Sequence, residues 1–230
     1  MKKLIKIKYA FTLMASFLAA AAQAASFLIP DVANEYTIKV IAECNSEQCE
    51  GPAEIHITKK NGGLVQTLKT PDLAVYLNAN KKLPANHTVL YSDQSAVVAD
   101  DFNFDGTTDI AIRNGNNSAY GGPSYDVYVY NISKRKFVLS DELTELATSK
   151  LGMFSVDKAR KRLITFEKSG CCWHQTTHYA VSPGRGLYVV YSLVEAATSD
   201  GKNVEVTTSS LVGKKMKSST KLYPVDSYYK

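Results

Sequence analysis

The hydrophobic pattern along the chain has a period of two almost throughout, and turn residues cut it into short runs. Residues 53–58 (Ala-Glu-Ile-His-Ile-Thr) alternate, Lys60-Asn61-Gly62-Gly63 turns, and 64–68 returns. That combination predicts a β-hairpin. Residues 124–130 predict another strand, with Val127 and Val129 on one face and Asp126, Tyr128 and Tyr130 on the other. A turn at 131–135 leads into 136–139. Residues 163–167, 176–181 and 187–193 read as further strands, and 182–186 and 199–202 as turns. One helix is expected, at 141–148, with Leu143 and Leu146 on one face and Ser140 as its cap. Short strands at this spacing predict an all-β chain: a sandwich, a barrel or a propeller. No repeat of fixed period and no long linker interrupts it, so one mature domain is expected.

The first 24 residues break the pattern. Lys2, Lys3, Lys6 and Lys8 precede an apolar run at 10–22, and Ala22-Gln23-Ala24 supplies a small-x-small cleavage site. This is the layout of a secretory signal peptide. The run has 13 residues, short of the ~20 needed to span a bilayer. The expected division is therefore a signal peptide at 1–24 and a single domain at 25–230. No Cys stands at the cleavage point, so lipid anchoring is not expected. The mature protein should be soluble in the periplasm or outside the cell.

Export changes the meaning of charge and of cysteine. The whole chain has 27 basic and 22 acidic residues, a formal charge of +5. Removing the four leader lysines leaves 23 against 22, a charge of +1. The basic runs Lys158, Arg160, Lys161, Arg162 and Lys214, Lys215, Lys217 read as solvated turns, and no nucleic-acid-binding motif accompanies them. Four cysteines in an exported chain predict disulfides. Cys44 and Cys49 flank a short polar loop, which favours pairing them and leaves adjacent Cys171 and Cys172 to each other. Crossed pairing is the alternative.

The segment Asp101-Phe102-Asn103-Phe104-Asp105-Gly106-Thr107-Thr108-Asp109 carries the clearest chemistry. Oxygen-bearing side chains recur at 101, 103, 105 and 109, and Gly106 permits a sharp turn. Hard cations such as calcium take six to eight oxygen ligands. The expected set is Asp101, Asn103, Asp105 and Asp109 through their side chains and Thr107 through its carbonyl. The spacing follows the first nine positions of an EF-hand loop, but position twelve is Ile112, and Ile110-Ala111-Ile112 is strand-like. A structural calcium loop feeding a β-strand is therefore expected. The opposing expectation is a solvated Asx-rich turn.

This loop resembles those of FG-GAP-type β-propellers. The stretch 97–139 is more specific. It runs from the Phe-containing loop through Arg113-Asn114-Gly115-Asn116-Asn117 and Tyr120-Gly121-Gly122-Pro123-Ser124-Tyr125 to a Tyr-rich strand and Lys136-Phe137. That order resembles exported bacterial immunity proteins that act against peptidoglycan hydrolases delivered by type IV secretion systems. The resemblance implies a single-domain, β-propeller-like fold of short antiparallel strands with a calcium loop. It also implies a lysozyme-like hydrolase as protein partner. Lysozyme inhibitors of several kinds present a Gly-rich loop ending in x-x-Tyr to the substrate cleft, and residues 121–125 are similar. The implied contact set is Tyr120, Gly121, Gly122, Ser124 and Tyr125. Glycines allow close backbone approach, and Pro123 lowers the entropy lost on binding.

Other constellations carry less. Cys171, Cys172, His174 and His178 could ligate a metal, but oxidised cysteines do not, and the two histidines would lie ~13 Å apart on a strand. No phosphate-binding loop, dinucleotide fingerprint, nucleophile elbow or zinc-protease motif is present. A binding protein rather than an enzyme is expected, with no nucleic-acid partner and no stable membrane insertion. The second functional class is an FG-GAP-type adhesion module for an envelope glycan or protein.

Overall fold

The computed structural model describes residues 23–182 and 185–229. The signal peptide at 1–24 lies almost wholly outside the described residues. Three antiparallel sheets follow one another along the chain, each a meander of consecutive strands. The first contains β1 (Gln23–Val32), β2 (Tyr36–Cys44), β3 (Gln48–Lys59) and β4 (Leu64–Thr70), with β5 (Val75–Tyr76) paired to β3. The second contains β6 (Val97–Asp100), β7 (Asp109–Arg113), β8 (Tyr125–Asn131) and β9 (Lys136–Leu139). The third runs through β10 (Ser155–Asp157), β11 (Arg162–Ser169), β12 (Trp173–Ser182), β13 (Gly186–Ala197), β14 (Asn203–Val212) and β15 (Lys215–Pro224). None of the three closes into a barrel. Helix α1 (Asp141–Ser149) joins the second sheet to the third, and a short α2 (Val225–Tyr228) follows β15.

The hairpin at β3–β4 and the helix α1 match the sequence pattern. The Leu143 amide donates to the Ser140 hydroxyl, and Leu143, Leu146 and Ala147 are the buried face of α1. Asp141 and Glu142 stand in the first turn, where the helix dipole favours acids.

The second sheet lies between the other two. Ile110 and Ile112 of β7 pack with Ile38, Ile55 and Ile57 of the first sheet. Ala111 of the same strand packs with Val127, Leu146, Phe154 and Leu163 on the other side. All five residues of β7 are buried. A strand covered on both faces reads as an apolar run rather than an alternation, which is why Ile110-Ala111-Ile112 is uninterrupted.

Sheet three extends past this packing. All ten residues of β15 are exposed. Lys215 and Lys217, expected in a turn, stand on this edge strand, and Lys214 precedes it. Lysines on an edge strand oppose pairing with a foreign strand. Among the described residues no helix is long and apolar enough to cross a membrane. Disulfides join Cys44 to Cys49 and Cys171 to Cys172. These features are compatible with an exported protein.

Candidate calcium loop and contact loop

Residues 101–108 link β6 to β7. Phe102 is fully buried and meets Phe154 edge-on at 5.4 Å, which anchors the loop to the core. Gly106 has φ +90°, a conformation that suits glycine. The Asp105 amide donates to both Asp101 Oδ1 and Asn103 Oδ1 at 3.0 Å, and the Gly106 amide donates to Asp101 Oδ2 at 2.9 Å. Oxygens from Asp101 and Asn103 therefore converge on one point of the loop. Asp105 Oδ1 accepts from the Thr107 amide at 2.8 Å and the Thr107 hydroxyl at 2.6 Å. Burial raises the Asp105 pKa, but the bonds from Thr107 and Asn103 outweigh it and hold the carboxyl below its usual value.

Asp109 is placed differently. It is fully buried at the start of β7. One oxygen accepts from the Phe102 and Asn103 amides at 2.9 and 3.3 Å, and the other from the Tyr130 amide at 2.9 Å. Burial pushes its carboxyl up to about 7, against the three amides, which favour the charged form. Asp109 thus clamps the loop to β8. Among the described residues no three His, Cys, Asp or Glu side chains are grouped as a metal cluster. The hard oxygens of Asp101, Asn103 and Asp105 suit a cation by chemistry. In the arrangement seen, Asp109 is turned to backbone amides instead.

The contact loop leaves the far end of β7. Five strand residues separate the two loops, roughly 14 Å along the strand. The loop is pinned at several points. Gly115 donates to the Asp72 carbonyl at 2.6 Å, and Ala119 to the Lys150 carbonyl at 3.0 Å. Ser118 and Gly122 form an isolated bridge around a single 3-10 turn, Ala119–Gly121. Gly122 has to be small, because a Cβ there would stand 2.8 Å from Ser118 Oγ.

The five predicted contact residues divide into two groups. Tyr120, 65% exposed, and Gly121 form the tip. Gly122, Ser124 and Tyr125 hold it from below. Ser124 is 2% exposed, and its hydroxyl donates to the Asn114 carbonyl while accepting from the Asn117 amide at 3.0 Å. That hydroxyl is spent inside the loop, so Ser124, a member of the expected contact set, has no free group to offer a partner. Tyr125 is fully buried, and its hydroxyl donates to the Ser95 carbonyl at 2.8 Å. Its role is to brace.

No family model matches the chain, and no curated protein matches it in sequence. A solved structure does. The match is to a Xanthomonas type IV secretion system related protein, with a TM-score of 0.62 and 21% sequence identity. The superposition covers 88% of this chain and 95% of the other. At that identity the likeness shows a shared fold.

Two further residues join the tip, and both are absent from the contact set expected from sequence. Lys168, from β11, lies over the Tyr120 ring and also over the ring of Tyr91, from the long connection between β5 and β6. The Tyr120 hydroxyl also accepts from the Gly170 amide at 2.9 Å, beside the Cys171–Cys172 bridge. The sequence carried one weak sign of this, a tyrosine count of 14. Which tyrosines share a surface depends on tertiary structure.

Proposed function

We propose that the protein is an exported, calcium-binding immunity protein of a type IV secretion context. In this reading it inhibits a lysozyme-like peptidoglycan hydrolase by inserting the 118–122 turn into the active-site cleft. One observation carries the reading: an exposed Tyr120–Gly121 tip stands on a loop whose base is buried and hydrogen-bonded. A pre-formed loop loses little entropy when it enters a cleft. The fold shared with a type IV secretion system related protein supports the setting, and the two disulfides support an exported, periplasmic location. Three consecutive antiparallel meanders support the propeller-like organisation, and the four-stranded second sheet has the size of one blade. The protein acts by binding and not as an enzyme.

The calcium site in this proposal uses Asp101, Asn103, Asp105 and the Thr107 carbonyl, while Asp109, expected as a further ligand, holds backbone amides instead. Bound calcium would neutralise the converging carboxylates and stiffen the turn. Phe102 fixes the loop to the core, and Asp109 aligns the amides of Phe102 and Asn103.

The test is peptidoglycan hydrolysis by a panel of lysozyme-like hydrolases, with the mature chain added in stoichiometric amounts. Wild type should inhibit at least one. Tyr120→Ala should weaken inhibition roughly tenfold or more at unchanged melting temperature. No inhibition across the panel, or full inhibition by Tyr120→Ala, overturns the proposal.

A further inference from the structure

Lys168 places its ammonium 4.7 Å from the centre of the Tyr91 ring and 4.9 Å from that of Tyr120. The two tyrosines come from different loops. Both have positive φ, 60° and 59°. Left-handed backbone is unfavourable for a bulky side chain and persists only where the surroundings impose it. Two segments distant in sequence thus bring one ring each to a single cation. Both rings remain about two-thirds exposed, at 67% and 65%.

The cation has no counter-charge of its own. Among the described residues Lys168 makes no ion pair. Its neighbour Glu167 is committed to Lys150 at 2.8 Å. The Tyr120 ring cannot swing away freely, because its hydroxyl holds the Gly170 amide. Tyr91 leans edge-on against Phe166, at 6.4 Å between ring centres.

These residues line a notch of about 150 Å³, with Leu90, Pro123 and Leu151 as its apolar floor. Small-molecule sites run roughly 300–1,000 Å³. The notch is too small for a whole ligand, which leaves Lys168 to a macromolecular partner. We infer that Lys168 is the counter-charge for a carboxylate of the protein partner, with Tyr91 and Tyr120 as the rings that hold its ammonium in place. This inference rests on the hydrolase-inhibitor reading. The cleft of a lysozyme-like enzyme holds two catalytic carboxyl groups, and a tip that enters it brings Lys168 toward them. A partner surface that covers the two exposed rings excludes water from the pair, which strengthens a charge-assisted bond.

The experiment is calorimetric titration of the mature chain into a purified c-type lysozyme. Lys168→Met keeps the apolar stem and removes the charge. It should weaken binding roughly 30-fold or more and flatten the dependence of affinity on salt. Lys168→Arg should recover most of the loss. Against a lysozyme whose two catalytic carboxyls are replaced by amides, wild type and Lys168→Met should bind alike. Lys168→Gln repeats the measurement should the Met variant fold poorly. Equal affinity of the folded Lys168→Met or Lys168→Gln variant and wild type for unmodified lysozyme overturns the inference. If Tyr120→Ala loses binding in that same case, the inhibitor reading stands. A wild-type chain that binds neither this lysozyme nor any panel hydrolase overturns both.

Discussion

The Tyr125 hydroxyl donates to the Ser95 carbonyl at 2.8 Å, with both residues fully buried. This bond joins the root of the contact loop to the connection that carries Tyr91. Arg113 adds a contact over the Tyr125 ring at 5.7 Å. Two segments that reach the surface separately are thereby held to one another beneath it.

Tyr125→Phe should cost about 1–3 kcal/mol, because it leaves a buried carbonyl without its donor. Urea denaturation at pH 7 measures the loss. A second effect appears in alkali. Burial pushes the Tyr125 hydroxyl up to about 12, from 10.0. A folded pKa above the unfolded one means that stability is fully present below pH 10 and falls as pH rises toward 12. The variant should show a shallower fall over that window. Tyr36, raised to about 12 by burial and by Glu35, and Tyr228, raised to about 12 by its bond to Glu195, should contribute to the slope that remains.

Gly122→Ala should loosen the 118–122 turn. The added methyl would meet Ser118 Oγ at 2.8 Å and the Ala119 carbonyl at 3.2 Å. Relieving such crowding costs about 1–3 kcal/mol. Hydrogen exchange should speed up at the Ser118 and Gly122 amides, with little change in β7.

Calcium should raise the melting temperature, and chelation should lower it. A ligand at a hundred times its Kd stabilises by about 2.7 kcal/mol. Asp101→Ala removes two of the three oxygens that meet the Asp105 and Gly106 amides and should abolish the response. A melting curve that ignores calcium at millimolar concentration, with metal removed completely beforehand, counts against the site.

Replacing Cys44 and Cys49 together by Ser should cost ~2 kcal/mol, the loop-closure entropy for so short a ring. The two cysteines face each other across β2 and β3, and Cys49 is fully buried. Guanidinium denaturation measures the loss, and the same pair replaced by Ala repeats it without the added hydroxyls, leaving the Cys171–Cys172 bridge intact in both.

The sequence was most legible where one face of a strand meets solvent. In β3, Ala53, Ile55 and Ile57 are buried between partly exposed neighbours, so the period of two survives in the letters. It was least legible in β14 and β15. Thr207 pairs with Thr220 and Ser209 with Ser218, hydroxyl to hydroxyl. Ser and Thr pairs on an open sheet leave no apolar rhythm to read. The candidate contact loop was legible as a turn, through its glycines and its tyrosine. Which of its residues point outward was not readable, because Ser124 is withdrawn by partners ten and seven positions earlier, Asn114 and Asn117. Lys168 escaped for a plainer reason: nothing local distinguishes it, and its importance arises only when two distant tyrosines arrive.

The placement of the second sheet also bears on how the protein is made. Each sheet is an unbroken stretch of chain, so its strand pairing is local and quick to form. The central one nevertheless has two oily faces. As the polypeptide lengthens, the N-terminal stretch is available to cover one face at once, while the other waits for α1 and β11. Lys168 sits on that last-arriving piece. The tyrosine-flanked cation is therefore completed only when the final core closes, and a partly folded chain does not yet display it.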